Sequence, residues 1–437
     1  MKMHYYGTGR VNEHGHLEIG GVDTVTLAEQ YGTPLYIYDV ALIRDRAKMF
    51  QEAFKKSGVK AQVAYASKAF SSIAMFQLAR EEGLSLDVVS SGELYTAIQA
   101  EFPPERIHLH GNNKSPEELE MAIDANVGCI VADNFYELSL IEALCKKKGK
   151  VCPILLRVTP GIEAHTHDYI LTGQEDSKFG FDLWNGQAEE ALQLALSKDC
   201  FDVLGLHCHI GSQIFETTGF ILAAQKLSEQ IHNWHERYSF TPKVLNLGGG
   251  FGIRYTKEDQ PIPVSTYVEE IVKAVKQDFD QYRMDMPEIW IEPGRSLVGD
   301  AGTTIYSIGS TKHVPNTRTY WAVDGGMSDN IRPALYQAKY EAGLANRMND
   351  KVEEEVAIAG KCCESGDMLI WDLPLPHIQH GDLLAVFCTG AYGYSMANNY
   401  NRIQRPAVVF VENGESRLVV RRESLDDLIR NDLSLYK

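Results

Sequence analysis

Residues 244–252 read Val244-Leu245-Asn246-Leu247-Gly248-Gly249-Gly250-Phe251-Gly252. A short apolar run that stops at three glycines has the pattern of a buried strand. It feeds a loop whose backbone N–H groups stand bare for a close-approaching anion. Residues 288–291 repeat the pattern and run into Glu292-Pro293-Gly294-Arg295. Between the two runs, residues 266–282 carry apolar side chains at helical spacing. Earlier in the chain the same unit recurs. Strand-like runs fall at 63–67, 84–89, 106–110, 129–132, 153–158 and 203–210, and amphipathic stretches at 72–82, 92–100, 116–125, 135–147, 187–197 and 220–238. Strict alternation of strand and helix predicts parallel strands joined by helical crossovers. Eight strands predict a closed (β/α)8 barrel of the TIM type, with an open doubly wound sheet as the competitor.

A further helix is expected at 40–56. After Arg295 the texture changes. Runs at 303–310, 319–323, 353–358, 383–388 and 407–412 read as strands separated by glycine and proline, and 17–38 is also strand-like. The expected organisation is therefore α/β, with a barrel over residues 40–295. A mostly-β domain, barrel- or sandwich-like, would be built from 1–39 plus 296–437.

The chain has 437 residues and is 44% hydrophobic, enough to bury a real core. A net charge of -17 argues against nucleic acid and anionic membranes as partners. Nothing is apolar for long enough to span a bilayer, and the first 20 residues lack a signal-peptide core. Eight cysteines without a Cys-x-x-Cys pair suggest neither a disulfide framework nor structural zinc, and point to a reducing, cytoplasmic setting.

Working residues of such a barrel belong at the C-terminal ends of its strands. Those ends carry Lys68, Asp87, His110, Asp133, Arg157, His209, the three glycines and Glu292. Phosphate sites in this fold commonly follow strands seven and eight, so Gly248, Gly249 and Gly250, with Arg295, form a candidate phosphate cradle. The competing reading is a turn-forming glycine cluster. Lys68, between Ser67 and Ala69, is expected to be partly desolvated, which suits a Schiff-base amine better than a surface lysine.

Cradle and amine together fit pyridoxal 5'-phosphate. Glu292 would pair with its pyridine nitrogen, and His209 could lie against its ring. His207 and His209 form a His-x-His pair, but no third ligand is evident from spacing. No metal is expected there, and His207 reads as a core residue. His165, Thr166, His167 and Asp168 form a second metal-like cluster, read as a loop. Residues 169–179 are a candidate closing loop.

These motifs, with Tyr65 to Phe70, His207 to Gln213, Asp324 to Tyr336, Cys362 to Asp367 and Gly390 to Asn401, resemble the fold-type III pyridoxal-phosphate decarboxylases. The resemblance covers essentially the whole chain. It implies a homodimer with shared active sites. Lys68 would bind the cofactor, and His209 would stack on its ring. Asp87, Ser212, Gly294 and Tyr392 would lie close to it, and Cys363 would act as general acid from the other subunit. Arg332 and Tyr336, one helical turn apart, suit a carboxylate. With Arg295 and Tyr392 they would hold the far carboxylate of an amino-acid substrate, and Glu364 its ammonium. That distal pattern fits decarboxylation of meso-2,6-diaminopimelate to L-lysine. It argues against ornithine or arginine; carboxynorspermidine, a racemase and a non-enzymatic cofactor carrier are the remaining alternatives.

Overall fold

The computed structural model describes residues 4–162 and 177–436. The eight runs become eight parallel strands: Ala61–Ala66, Ser85–Val88, Ile107–Leu109, Cys129–Ala132, Cys152–Thr159, Phe201–His207, Val244–Asn246 and Glu288–Ile291. Each pairs with the next in sequence. The eighth then pairs with the first, Ile289 opposite Ala61. That closure decides between barrel and open sheet.

The chain switches from strand to helix sharply because caps stand at the junctions. Ser72, Ser90 and Asn134 each accept a backbone N–H from the first turn of the helix that follows. Ser115 and Glu118 form a reciprocal capping box. Asn126 and Gly149 end their helices in the left-handed region. The strands are buried almost throughout, and Trp290 stacks on His108 at 4.3 Å inside the barrel.

The chain divides into two compact units. The barrel unit comprises Arg46–Gly252 and Gln260–Ser296, and the β unit Met1–Asp45, Ile253–Asp259 and Leu297–Lys437. The β unit thus takes in Ile253–Asp259, which the sequence reading gave to the barrel. The reason is packing, since Ile253 and Tyr255 belong to the apolar cluster around Tyr306, Trp321 and Leu384.

The β unit holds a nine-stranded sheet. Its spine runs Met368–Leu375, Glu354–Ala359, Arg318–Val323, Gly302–Val314, Leu35–Asp39, Ala407–Glu412, Glu415–Val420. Leu383–Phe387 also pairs with Gly302–Val314, and Ala342–Leu344 with Leu383–Phe387. The first half of Gly302–Val314, up to Ile308, buries both of its faces: Ile305 packs into one apolar cluster, Tyr306 and Ile308 into the other.

Residues 17–38, expected to be strand-like, are mixed. Between the strands Leu17–Ile19, Val22–Asp23 and Leu35–Asp39 lies a helix, Thr24–Tyr31. Asp23 starts it by accepting the Val25 N–H, a local cap that outweighs the β preference of Thr24, Val25 and Thr26.

Candidate active site

The barrel unit gathers its charged groups at the C-terminal strand ends. Glu292 follows the eighth strand and is buried. Its Oε1 accepts from Asn246 Nδ2 at 2.7 Å. His207 Nε2 stands 3.0 Å from Oε2, and His110 Nε2 3.0 Å from Oε1. Burial alone would push the Glu292 carboxyl up; the two imidazoles outweigh it and hold the carboxyl well below the usual carboxylate range. The barrel therefore carries a fixed negative charge.

His110, read only as a strand-end residue, and His207, read as core, are both partners of that charge. Asn246 was missed. Its signal was a single amide inside an apolar strand. Among the described residues, His110, His207 and Glu292 also form the one group able to converge on a metal ion, with ligand atoms within 4.8 Å of one another. His209 is not part of it.

Gly248, Gly249 and Gly250 fit their cradle for a geometric reason. A Cβ on Gly249 would meet Glu292 O at 2.1 Å, and one on Gly250 would meet Gly211 O at 2.4 Å. Gly248 and Gly250 also take φ of 69° and 109°, which favours glycine. The cradle is zipped to the loop after strand six by Ile214 N–H to Gly250 O at 2.8 Å and Gly252 N–H to Ile214 O at 3.0 Å. His209 Nδ1 accepts the Gly249 N–H at 3.2 Å. Burial, with the positive charges of Lys68 and Arg157, keeps this imidazole well below its usual pKa and so neutral. Arg295 Nη2 donates to Ser212 Oγ at 3.0 Å, which joins two residues expected near one phosphate.

Lys68 lies in the turn Ser67–Ala69, directly after the first strand. It was expected to be partly desolvated, but its side chain is exposed. The turn buries its neighbours Ser67 and Ala69, while the Lys68 ammonium stays within electrostatic reach of the buried Asp87 and His209. Gly294 packs against this turn, since a Cβ there would stand 3.0 Å from Ala66 Cβ. Asp87 is buried, and its carboxyl is pushed up to about 6 by desolvation, with His110 and Lys68 pulling it down. Next to this set, Lys114 donates to Glu137 Oε1, Gly111 O and Val131 O, each at 2.7 Å. One buried ammonium thus ties together the segments after strands three and four.

In the β unit, Arg332 opens the short helix Arg332–Tyr336 and is buried. Its guanidinium donates to the Tyr340 hydroxyl at 2.5 Å and lies 4.7 Å above the Tyr255 ring. Tyr392 also acts on the Arg332 charge, whereas Tyr336, its other expected tyrosine partner, is half-buried one turn on. Tyr392 holds a left-handed φ of 59°, a strained state for a tyrosine. Cys363 and Glu364 are exposed on the loop after Glu354–Ala359. Cys363 N–H donates to Asn401 Oδ1 at 2.7 Å. The His165 to Asp168 cluster, and residues 169–176 of the proposed closing loop, lie outside the described residues.

The barrel residues suit pyridoxal phosphate. They offer an amine, a glycine cradle that no Cβ would leave open, an arginine beside a serine, and a buried carboxylate held ionised. Residues 40–299 match the family model "Pyridoxal-dependent decarboxylase, pyridoxal binding domain". Diaminopimelate decarboxylase of Bacillus subtilis is 68% identical over 431 residues, covering 99% of this chain and 98% of the relative. That of Bacillus methanolicus is 71% identical over 97% and 98%. The crystal structure of diaminopimelate decarboxylase from M. jannaschii in complex with L-lysine superposes with a TM-score of 0.91 at 36% identity, covering 98% of each chain. With barrel, cradle and paired carboxylate in place, the chain belongs to the pyridoxal-dependent decarboxylases and, within them, to the diaminopimelate decarboxylase family.

Proposed function

We propose that this protein decarboxylates meso-2,6-diaminopimelate to L-lysine and CO2, using pyridoxal 5'-phosphate. The observation that carries this reading is Glu292, a buried carboxylate kept ionised where a pyridine nitrogen would need a negative partner. The bound cofactor supplies an electron sink for the pair of electrons left behind by departing CO2.

The chain's own residues do the rest. Lys68 Nζ is the amine that holds the cofactor. The amides of Gly248, Gly249 and Gly250 bind its phosphate, with Arg295, Ser212 and Tyr392 beside them. Neutral His209 presents its ring face, and Gly294 allows the Lys68 turn to pack closely. Glu292 keeps a proton on the pyridine nitrogen by electrostatic pairing. Asp87, beside His110 and Lys68, completes the charge set. Cys363 Sγ delivers a proton to Cα after CO2 leaves, because a thiol can be ionised and reprotonated near neutral pH. Arg295, Arg332, Tyr336 and Tyr392 take the substrate's far carboxylate, and Glu364 its ammonium.

Cys363 and Glu364 stand exposed on one chain, which supports a homodimer in which each copy completes the other's site. No helix among the described residues is long and apolar enough to cross a membrane, and all eight cysteines are free thiols. Both facts support a cytoplasmic protein.

The test is product analysis. Protein loaded with cofactor is given meso-diaminopimelate, ornithine, arginine and lysine separately, and products are identified by mass spectrometry. Lysine from meso-diaminopimelate alone is expected. A diamine or agmatine would overturn the distal-site assignment.

A further inference from the structure

Two loops of the β unit carry the residues assigned above to substrate and proton transfer. One, residues 325–331, leads into Arg332; the other, residues 360–366, carries Cys363 and Glu364. They are joined by a side chain to which that reading gives no role. Asp367 is 3% exposed. Its Oδ1 accepts the Met327 N–H of the first loop at 2.7 Å. Its Oδ2 accepts the Cys362 N–H of the second at 2.8 Å, one residue before Cys363.

The space around this carboxylate is made by two glycines, one from each loop. A Cβ on Gly326 would stand 2.4 Å from Asp367 Oδ2, and one on Gly360 would stand 2.1 Å from it. The pairing is extended by Lys361 N–H to Gly325 O at 2.9 Å, and closed behind by Gly360 N–H to Asp367 O at 2.9 Å. Charge-assisted bonds of this kind are among the stronger ones a side chain can make to backbone.

We propose that Asp367 is a positioning residue, whose carboxylate fixes the register of the Cys363 loop against the loop that leads into Arg332. It touches neither substrate nor cofactor, and the inference rests on the roles given above to Cys363 and Arg332. No group of the barrel unit takes part, so cofactor binding should not depend on it.

Two variants of the holoenzyme test this from opposite sides. Asp367→Asn keeps the volume but turns an amide donor toward one of the two N–H groups. Gly360→Ala leaves Asp367 in place but drives a methyl into its carboxylate; no positive φ forbids alanine there. We expect both to lower kcat and raise KM, with the combined loss in kcat/KM on the order of 10- to 100-fold. The bound-cofactor absorbance and cofactor affinity should stay close to wild type, while the melting temperature falls by a few degrees.

A double-mutant cycle with Cys363→Ala separates positioning from general damage. If Asp367 acts through Cys363, Asp367→Asn adds no further loss of kcat in the Cys363→Ala background. Wild-type kinetics in both variants, additive losses in the cycle, or loss of bound cofactor in both variants would each overturn the proposal. Wild-type kcat in Cys363→Ala alone would instead remove the general-acid reading on which it stands.

Discussion

Two buried carboxylates, one in each unit, have opposite fates. Glu292 of the barrel is held well below the usual carboxylate range, whereas Asp329 of the β unit is pushed up to about 7. Burial opposes ionisation at both. The difference lies in the partners. Glu292 faces the imidazoles of His110 and His207 and the amide of Asn246. Asp329 faces the Tyr306 hydroxyl and the Gly326 N–H, with Asp324 and Asp367 adding like charge. Neighbours, and not depth, decide whether a buried acid serves as a charge or as a hydrogen-bonding strut. The barrel keeps its acid as a charge, which the proposed function pairs with the cofactor. The β unit uses Asp329, with Asp367, to brace loops.

The sharpest way to break this contrast is to remove the barrel charge without changing its shape. Glu292→Gln keeps the contacts to Asn246 but loses the negative partner proposed for the pyridine nitrogen. We expect kcat to fall about 10²- to 10³-fold while cofactor still binds, read by kinetics and by the absorbance of bound cofactor. A variant with near-native kcat would mean that Glu292 is no more than another strut.

The β-unit residues should respond differently, because the proposed function sets them to act on the substrate. Cys363→Ala should retain cofactor and lose about 10²-fold in kcat. Mixed with Lys68→Ala protein under subunit exchange, it should recover roughly a quarter of wild-type activity, since half of randomly reassorted dimers carry one intact site. No recovery despite demonstrated exchange would confine each site to one chain. Arg332→Lys should act mainly on KM, raising it about tenfold, because an ammonium cannot reproduce the guanidinium fork. An unchanged KM for meso-diaminopimelate would remove Arg332 from the site.

The same contrast explains what could be read from sequence. The barrel was legible because its strands are continuous apolar runs, its helices amphipathic, and its chemistry confined to strand ends. Lys68, the glycines and Glu292 could be named as candidates from position alone. The partners of Glu292 could not, since His110, His207 and Asn246 meet it only once four strand ends converge through closure of the sheet. Lys68 is expected to be partly desolvated on the strength of its small neighbours; those neighbours are buried while Lys68 itself is exposed, within electrostatic reach of Asp87 and His209.

In the β unit, the strands Met368–Leu375 and Glu415–Val420 escaped notice because Asp372, Pro374, Arg417 and several exposed positions blur the apolar alternation. The helix Thr24–Tyr31 was hidden by its β-branched residues. Asp367 stood in plain view within a recognised motif. Its bond to Met327 spans 40 residues, and no local pattern encodes that.

The smallest expected effect tests the β-unit side of the contrast through pH. Asp329 has an ordinary carboxyl value of 3.8 and a folded value of about 7. Between those values the folded state holds a proton that the unfolded chain has lost. The folded state therefore binds more protons, and stability must fall as pH rises through this window, by up to about 1.4 kcal/mol per pH unit, levelling off above about 7. Asp87 and Glu137 of the barrel unit, pushed up to about 6 and about 7, add slopes of the same sign, so the wild-type profile alone does not isolate Asp329. The difference from Asp329→Asn does, because that variant keeps an uncharged amide at the site and leaves the barrel acids untouched. We expect the melting temperature to fall by a few degrees more in wild type than in Asp329→Asn between pH 5 and pH 7, measured by calorimetry. Parallel profiles would mean that Asp329 is already ionised in the fold, and the two carboxylates would then differ in position but not in charge.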